Sequence, residues 1–301
     1  MKQAILSVIH RHSKSFALAS RLLDDSLRDE VAVLYAWCRR ADDAVDEAPP
    51  EERRARVYRL YDELVAIYTN GTLDDPVLVA FREVVQRRRI PMASPLALLD
   101  GMRSDTGTVR MATTKELLLY CYRVAGVVGL MLCDVFGVTE RSAREQAVHL
   151  GIAMQLTNIC RDVREDLERD RLYLPEDVLV ACGGGDLDRT LVRRAVERLL
   201  ALARRYYRSA DAGFHALPLR AALAARAARR VYAAIGDELE ARGFDALGGR
   251  AVVPSWKKLL LVARASVEEL ADRARRRLFG STRPGPRLTG GSDDHRLAAE
   301  S

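Results

Sequence analysis

Two acidic stripes could do chemistry together. The first is Ala41-Asp42-Asp43-Ala44-Val45-Asp46-Glu47, and the second runs from Asn158 through Arg161, Asp162 and Glu165 to Asp166. Asp42 and Asp46 are four residues apart, as are Asp162 and Asp166, so on a helix each pair stacks on one face. Like charges so placed repel unless a cation sits between them. Mg²⁺ suits that place, because it takes carboxylate oxygens, keeps several waters and bridges to phosphates. Two such faces turned toward each other would hold a Mg²⁺-bound diphosphate.

Each stripe also has a plainer reading as a solvated helix face. For the second stripe that reading explains Glu165 to Asp170 but not Gln155 and Asn158. These two continue the polar line into an otherwise apolar half-helix, His149 to Met154, where polar groups need partners. The first stripe is the weaker of the two, since Asp clusters are common at helix ends. Arg39 lies three residues before Asp42 and shares its face, and Arg161 adjoins Asp162. Guanidinium groups would stabilise the charge of a departing diphosphate, although each is equally an ordinary ion-pair partner. Ser13 and Ser15, in His12-Ser13-Lys14-Ser15-Phe16, offer hydroxyls that bind phosphate or cap a helix.

The elements that must position these groups are helices. Helical periodicity dominates and no strand alternation stands out. Expected helices cover residues 2–12, 28–45, 51–69, 76–88, 95–103, 114–136, 140–168, 187–211, 217–241 and 254–278. Residues 104–112 read as a loop, Pro49-Pro50 as a stop, and Gly183-Gly184-Gly185 as a break. One helical domain is expected over 1–279, followed by a disordered tail over 280–301, rich in Gly, Pro, Ser and charge. The longest apolar segment, Leu117 to Val138, is interrupted by Arg123 and Asp134 and reads as a buried core helix rather than a membrane span. Its Ala125, Gly126 and Gly129 permit close helix packing or leave room for a ligand. Glycine inside a helix costs about 1 kcal/mol against alanine and calls for such a reason.

Composition narrows the function classes. The 301 residues include 48 basic and 42 acidic side chains, net +6. That intermingling, without a reading motif, argues against nucleic acid and leaves an anionic substrate or peripheral membrane contact. The five cysteines are odd in number and form no CxxC, as expected of reduced thiols in a cytoplasmic protein. The N-terminal apolar run is too short for a signal peptide. Asp105-Thr106-Gly107 spells the aspartic-protease triplet but falls among helices, and His10 and His12 do not make a zinc site.

The ordered series of motifs resembles the squalene/phytoene synthase family, most closely its bacterial phytoene-forming members. The matching stretches are HSKSFALASRLL (12–23), LYAWCRRADDAVDE (34–47), LLDGMRSDTG (98–107), YCYRVAGVVGLM (120–131), QLTNICRDVREDLERDRLYLP (155–175), RRVYAAIGDELEARGFD (229–245) and RAVVPSWKKLLL (250–261). The resemblance implies an all-α isoprenoid-synthase bundle around a central cavity. It implies head-to-head condensation of two geranylgeranyl diphosphates, through a cyclopropyl diphosphate, to 15-cis-phytoene. Mg²⁺ is the expected cofactor, with Mn²⁺ as a substitute, and no NADPH. Carried onto this chain, the metal ligands are Asp42, Asp43, Asp46, Asn158, Asp162 and Asp166. The diphosphate ligands are Ser13, Ser15, Tyr35, Arg39, Gln155, Arg161, Tyr232 and Arg250. Tyr120 would stabilise or orient the cation, and Ala125 and Gly129 would line the tail channel. Thr106 and Val127 depart from the family pattern, where a larger apolar residue and a Thr are usual, which bears on substrate length. A C30 enzyme using farnesyl diphosphate is the near alternative. A non-catalytic assembly factor of the same fold is the distant one.

Overall fold

The computed structural model describes residues 18–279. The expected helix at 2–12, Ser13, Ser15 and the tail over 280–301 lie outside the described residues.

Helix α1 (Asp25–Asp46) is buried almost all round in its first half and carries the first acidic stripe in its second. Its Trp37 stacks on Phe81 of α3 (Pro76–Arg88), with ring centroids 4.5 Å apart and planes within 9°. Pro50 opens α2 (Pro50–Tyr68), where its missing N–H costs nothing. The Asp75 side chain caps α3 by accepting the Val77 N–H. With α4 (Ala93–Ser104), these helices enclose a core that includes Leu34, Leu64, Phe81 and Leu99.

The apolar segment forms a helix in three parts: α5 (Thr114–Cys121), a π turn (Tyr122–Gly126) and α6 (Val127–Phe136). Among the described residues it alone is long and apolar enough to cross a membrane, with mean hydropathy 1.6. It lies between cores instead. Leu117, Tyr120 and Cys121 enter a second core, whereas Val127, Met131 and Val135 enter the first.

That second core is built by α7 (Arg141–Arg161), α10 (Arg189–Ala210) and α11 (Leu219–Ala241). The long helix expected over 140–168 is divided: α7 ends at Arg161, Asp162 is the junction, and α8 covers Val163–Leu167. The junction is mild. Asp162 N–H still bonds the Asn158 carbonyl at 2.9 Å and Asp166 N–H the Asp162 carbonyl at 2.9 Å, so the stripe keeps helical register. A short α9 (Glu176–Ala181) precedes the glycine triplet, and α12 (Ser255–Phe279) packs against α11.

Residues 104–112 are not wholly loop. β1 (Val109–Arg110) pairs in parallel with β2 (Arg171–Leu172), Val109 opposite Arg171. Two residues are too few for alternation to show in sequence. Side chains reinforce the clasp: Thr108 and Arg110 both donate to the Asp170 carboxylate, at 2.7 and 2.6 Å. The four sequence-distant residues are thereby fixed beside the end of the second stripe.

All five cysteines are free thiols, four of them buried.

Candidate active site

The β1–β2 clasp sets Arg171 between the stripes. This side chain, 4% exposed, donates to Asp46 Oδ1 at 2.8 Å and to the Asp105 carbonyl at 3.2 Å. Arg169 adds a 3.4 Å ion pair to Asp46. The segment after the second stripe thus holds Asp46 of the first.

Asp105 stands at the centre. Tyr120 and Tyr173 donate their hydroxyls to its two carboxylate oxygens at 2.7 and 2.8 Å, and their rings stack 4.9 Å apart. Burial lifts the Asp105 carboxyl to about 6, against the pull of both tyrosine hydrogen bonds and Arg171. Burial also lifts Asp42 to about 7, opposed by Arg39 and augmented by Asp46, Asp43 and Asp105. The same holds for Asp166, also at about 7, with Asp162 adding to the effect and Arg171 and Arg169 opposing it. Asp105 acts on a carboxylate of each stripe, so both stripes share one electrostatic centre.

A third group joins α1 to α7. Burial, then the Tyr232 hydroxyl, pushes Tyr35 up to about 12. Arg161 donates to both oxygens of Asp162, one at 2.7 Å, and Arg250 pairs with the same carboxylate at 3.0 Å. Arg161 also feels Tyr232. Of the expected diphosphate ligands, Arg161 and Arg250 therefore hold Asp162, and Tyr232 links Arg161 to Tyr35.

Several of the expected residues also pair or pack with neighbours. Arg39 pairs with Asp43 one turn on, and more loosely with Glu47 at 3.9 Å, while its charge still acts on Asp42. Asp43 is thus an ion-pair partner at the edge of the stripe. Gly129 packs closely on α7: a Cβ there would lie 2.5 Å from the Ala147 carbonyl oxygen. Ala125 is also part of this close approach, its own carbonyl 2.3 Å from where a Gly151 Cβ would stand. Val127 is wholly buried, and the Thr106 hydroxyl donates to the Arg103 carbonyl. Asp105, Arg171 and Tyr173 were missed as site residues. Asp105 and Arg171 are charged yet carry no periodic signal, and only their partners mark them. A separate cavity of about 250 Å³, lined by His215, Glu269, Asp272, Arg273, Arg276 and Arg277, includes none of these groups.

The donor set fits a hard divalent cation. Asn158 Oδ1 is buried with no hydrogen-bond partner, while its Nδ2 donates weakly to Gln155 Oε1 at 3.4 Å. Asp42 and Asp166 are crowded by like charge, which a cation would relieve. Among the described residues no three Asp, Glu, His or Cys side chains close on one point. Donors in ones and twos are what Mg²⁺ uses when waters and phosphate oxygens complete its shell.

The profile of the family described as "Squalene/phytoene synthase" matches residues 9–257, covering both stripes and the clasp. The chain belongs to the squalene/phytoene synthase family. It is 38% identical to a phytoene synthase of Pseudescherichia vulneris over 268 residues, 84% of this chain and 87% of that one. It is 39% identical to the phytoene synthase of Thermus thermophilus over 277 residues, 87% of this chain and 91% of the relative. The fold matches a crystal structure of a dehydrosqualene synthase in complex with ligand, with TM-score 0.81 and 29% identity over 89% of this chain and 96% of that one. The family bundle is thus the all-α fold seen here.

Proposed function

We propose that this member of the family is a phytoene synthase, a prenyltransferase that joins two geranylgeranyl diphosphates head to head in carotenoid biosynthesis. The observation that carries this reading is the run of phytoene synthases at 36–39% identity over most of the chain, joined to a site in which both acidic stripes survive and converge. In the first step the C1–O bond of one substrate breaks and its electron pair leaves with diphosphate. The double bond of the second molecule attacks the allylic cation, and proton loss closes a cyclopropyl diphosphate. In the second step that diphosphate leaves, the ring rearranges, and loss of a proton gives the central triene.

Bound Mg²⁺ supplies charge neutralisation for the departing diphosphate. Asp42, Asp46, Asn158, Asp162 and Asp166 are the residues to hold it. Arg161 and Arg250, once substrate draws them from Asp162, are set to receive diphosphate oxygens together with the hydroxyls of Tyr35 and Tyr232. Asp105 fixes the Tyr120 hydroxyl, leaving the ring as the part of Tyr120 that could face a cation. The packed helices around the site keep water from the carbocation. The protein acts in the cytoplasm and touches the membrane only peripherally, with α5 to α6 serving as core rather than anchor.

The test is one incubation of purified protein with Mg²⁺ and no NADPH, offered geranylgeranyl or farnesyl diphosphate separately. A C40 hydrocarbon from the first is expected. A C30 product formed only from the second would replace this reading with a dehydrosqualene synthase. No hydrocarbon from either, with the protein folded, would overturn it.

A further inference from the structure

Helix α12 is more apolar on its outer side than a helix packed on one side only requires. Its inner face sets Val262 and Ala265 against Ala227 and Ala228 of α11 and surrounds them with ion pairs. Arg226 of α11, 7% exposed, pairs with Glu269 at 3.0 Å and Asp272 at 2.9 Å, Arg230 pairs with Glu268 at 2.6 Å, and Lys257 reaches Glu238 at 2.6 Å. Its outer face is apolar. Trp256, Leu259, Leu260, Val267, Leu270 and Leu278 are each more than half exposed. At roughly 100° per residue these six fall within an arc of about 100°, a continuous stripe about 33 Å long.

The charges around that stripe say what covers it. Between Ser255 and Leu278 every exposed charged side chain is an arginine: Arg264, Arg275, Arg276 and Arg277. The three acids of the helix, Glu268, Glu269 and Asp272, are each paired with an arginine. Two copies laid stripe to stripe would bring Arg275–Arg277 against themselves, or against the Lys257-Lys258 end of the partner, which is also basic. An anionic bilayer surface instead accepts the apolar stripe and neutralises the arginines together.

We propose that the outer face of α12 is a docking surface for anionic lipid, on which the helix lies in the plane of the interface. The ion pairs beneath it hold the helix to the bundle, so it rests on the membrane and does not span it. The proposal gives the peripheral membrane contact named above its surface and rests on that part of the reading, not on the reaction: a chain that makes phytoene but ignores vesicles would keep the reaction and lose the proposal.

The chain contains its own reporter. It has two tryptophans, Trp37 in the core at 2% exposure and Trp256 on the stripe at 67%. Full-length protein is mixed with sucrose-loaded vesicles of phosphatidylcholine alone or with phosphatidylglycerol, and pelleted. Expected are sedimentation with the anionic vesicles, a blue shift of Trp256 and its quenching by brominated acyl chains. Sedimentation should weaken in high salt, where the screening length falls from about 10 Å to about 3 Å. Val267→Glu with Leu270→Glu should cut the bound fraction at least about tenfold, with thermal unfolding and turnover unchanged. Protein left in the supernatant with both vesicle types would overturn the proposal, as would undiminished binding of the double variant. A Trp256 blue shift that follows protein concentration without lipid, with a dimer in the ultracentrifuge, would overturn it by making this face an interface between copies.

Discussion

Replacing Arg171 by alanine should loosen the site and the fold together. The guanidinium is almost fully buried and makes one charge-assisted bond to Asp46 at 2.8 Å and one to the Asp105 carbonyl at 3.2 Å. Such bonds contribute about 1.5–3 and about 1 kcal/mol respectively. Loss of one partner of a buried pair costs about 3–5 kcal/mol. Asp46 is 30% exposed and also reached by Arg169, so water and that second arginine recover part of the loss. The expected cost is about 3 kcal/mol. At roughly 2–4 °C per kcal/mol for a large domain, the apparent Tm should fall by roughly 6–12 °C. Arg171→Lys keeps the charge but not the two-directional fork, and should lie between alanine and wild type. Turnover should fall further than stability suggests, because an ångström of drift between the stripes is worth about a hundredfold. Differential scanning fluorimetry and product formation across a Mg²⁺ titration would measure both. Arg171→Ala with a Tm within about 2 °C of wild type and turnover within about twofold would refute the idea that this side chain couples the stripes.

Asp42→Asn or Asp162→Asn should leave circular dichroism unchanged and cut turnover at least about a hundredfold. Near wild-type rates in both would remove them from the site. Asp42 and Asp166, at about 7, and Asp105, at about 6, are all raised above their unfolded values. Metal-free protein therefore binds more protons when folded, and its stability should fall as pH rises from about 4 through 7. Mg²⁺ should flatten that slope and release protons on binding at pH 7. Calorimetry in buffers of different ionisation enthalpy reads this release, and proton-neutral binding would count against it. Gly151→Ala would put a Cβ 2.3 Å from the Ala125 carbonyl, a backbone atom that cannot step aside. About 1–3 kcal/mol of destabilisation should outweigh alanine's better helix propensity. A thermal melt at or above wild type would show that the two helices can part at no cost.

Much of the fold was legible because local rules agreed with the global outcome. The boundaries of α3 are the clearest instance: Pro76 at its first turn and the arginine-rich end at Arg88 coincide with the expected 76–88. The acidic stripes were legible as spacing, and their convergence around Asp105 was not. Asp105 itself had been dismissed with its protease-like triplet, since nothing local distinguishes a surface aspartate from one held by two tyrosine hydroxyls. The β1–β2 clasp was invisible for the same reason: its stability comes from Asp170 and its neighbours sixty residues away. Gly129 was ambiguous in sequence between packing and channel, and the nearby Ala147 carbonyl supplies the packing reason for a glycine there. Ser13 and Ser15 lie outside the described residues.

The π turn at Tyr122–Gly126 acts as a phase shifter. In an unbroken α-helix, Leu117, Tyr120, Cys121, Val127, Met131 and Val135 would share one face, because their spacings follow a single 3.6-residue repeat. Five residues wound with i→i+5 bonding turn the second half by roughly a quarter turn relative to the first. The first three then serve one core and the last three the other. One stripe of sequence is thus split between two destinations by a change in winding alone. Removing a single residue from Tyr122–Gly126 would take away about 100°, nearly the rotation that the π turn withholds, so a plain α-helix one residue shorter would keep each half on its own core.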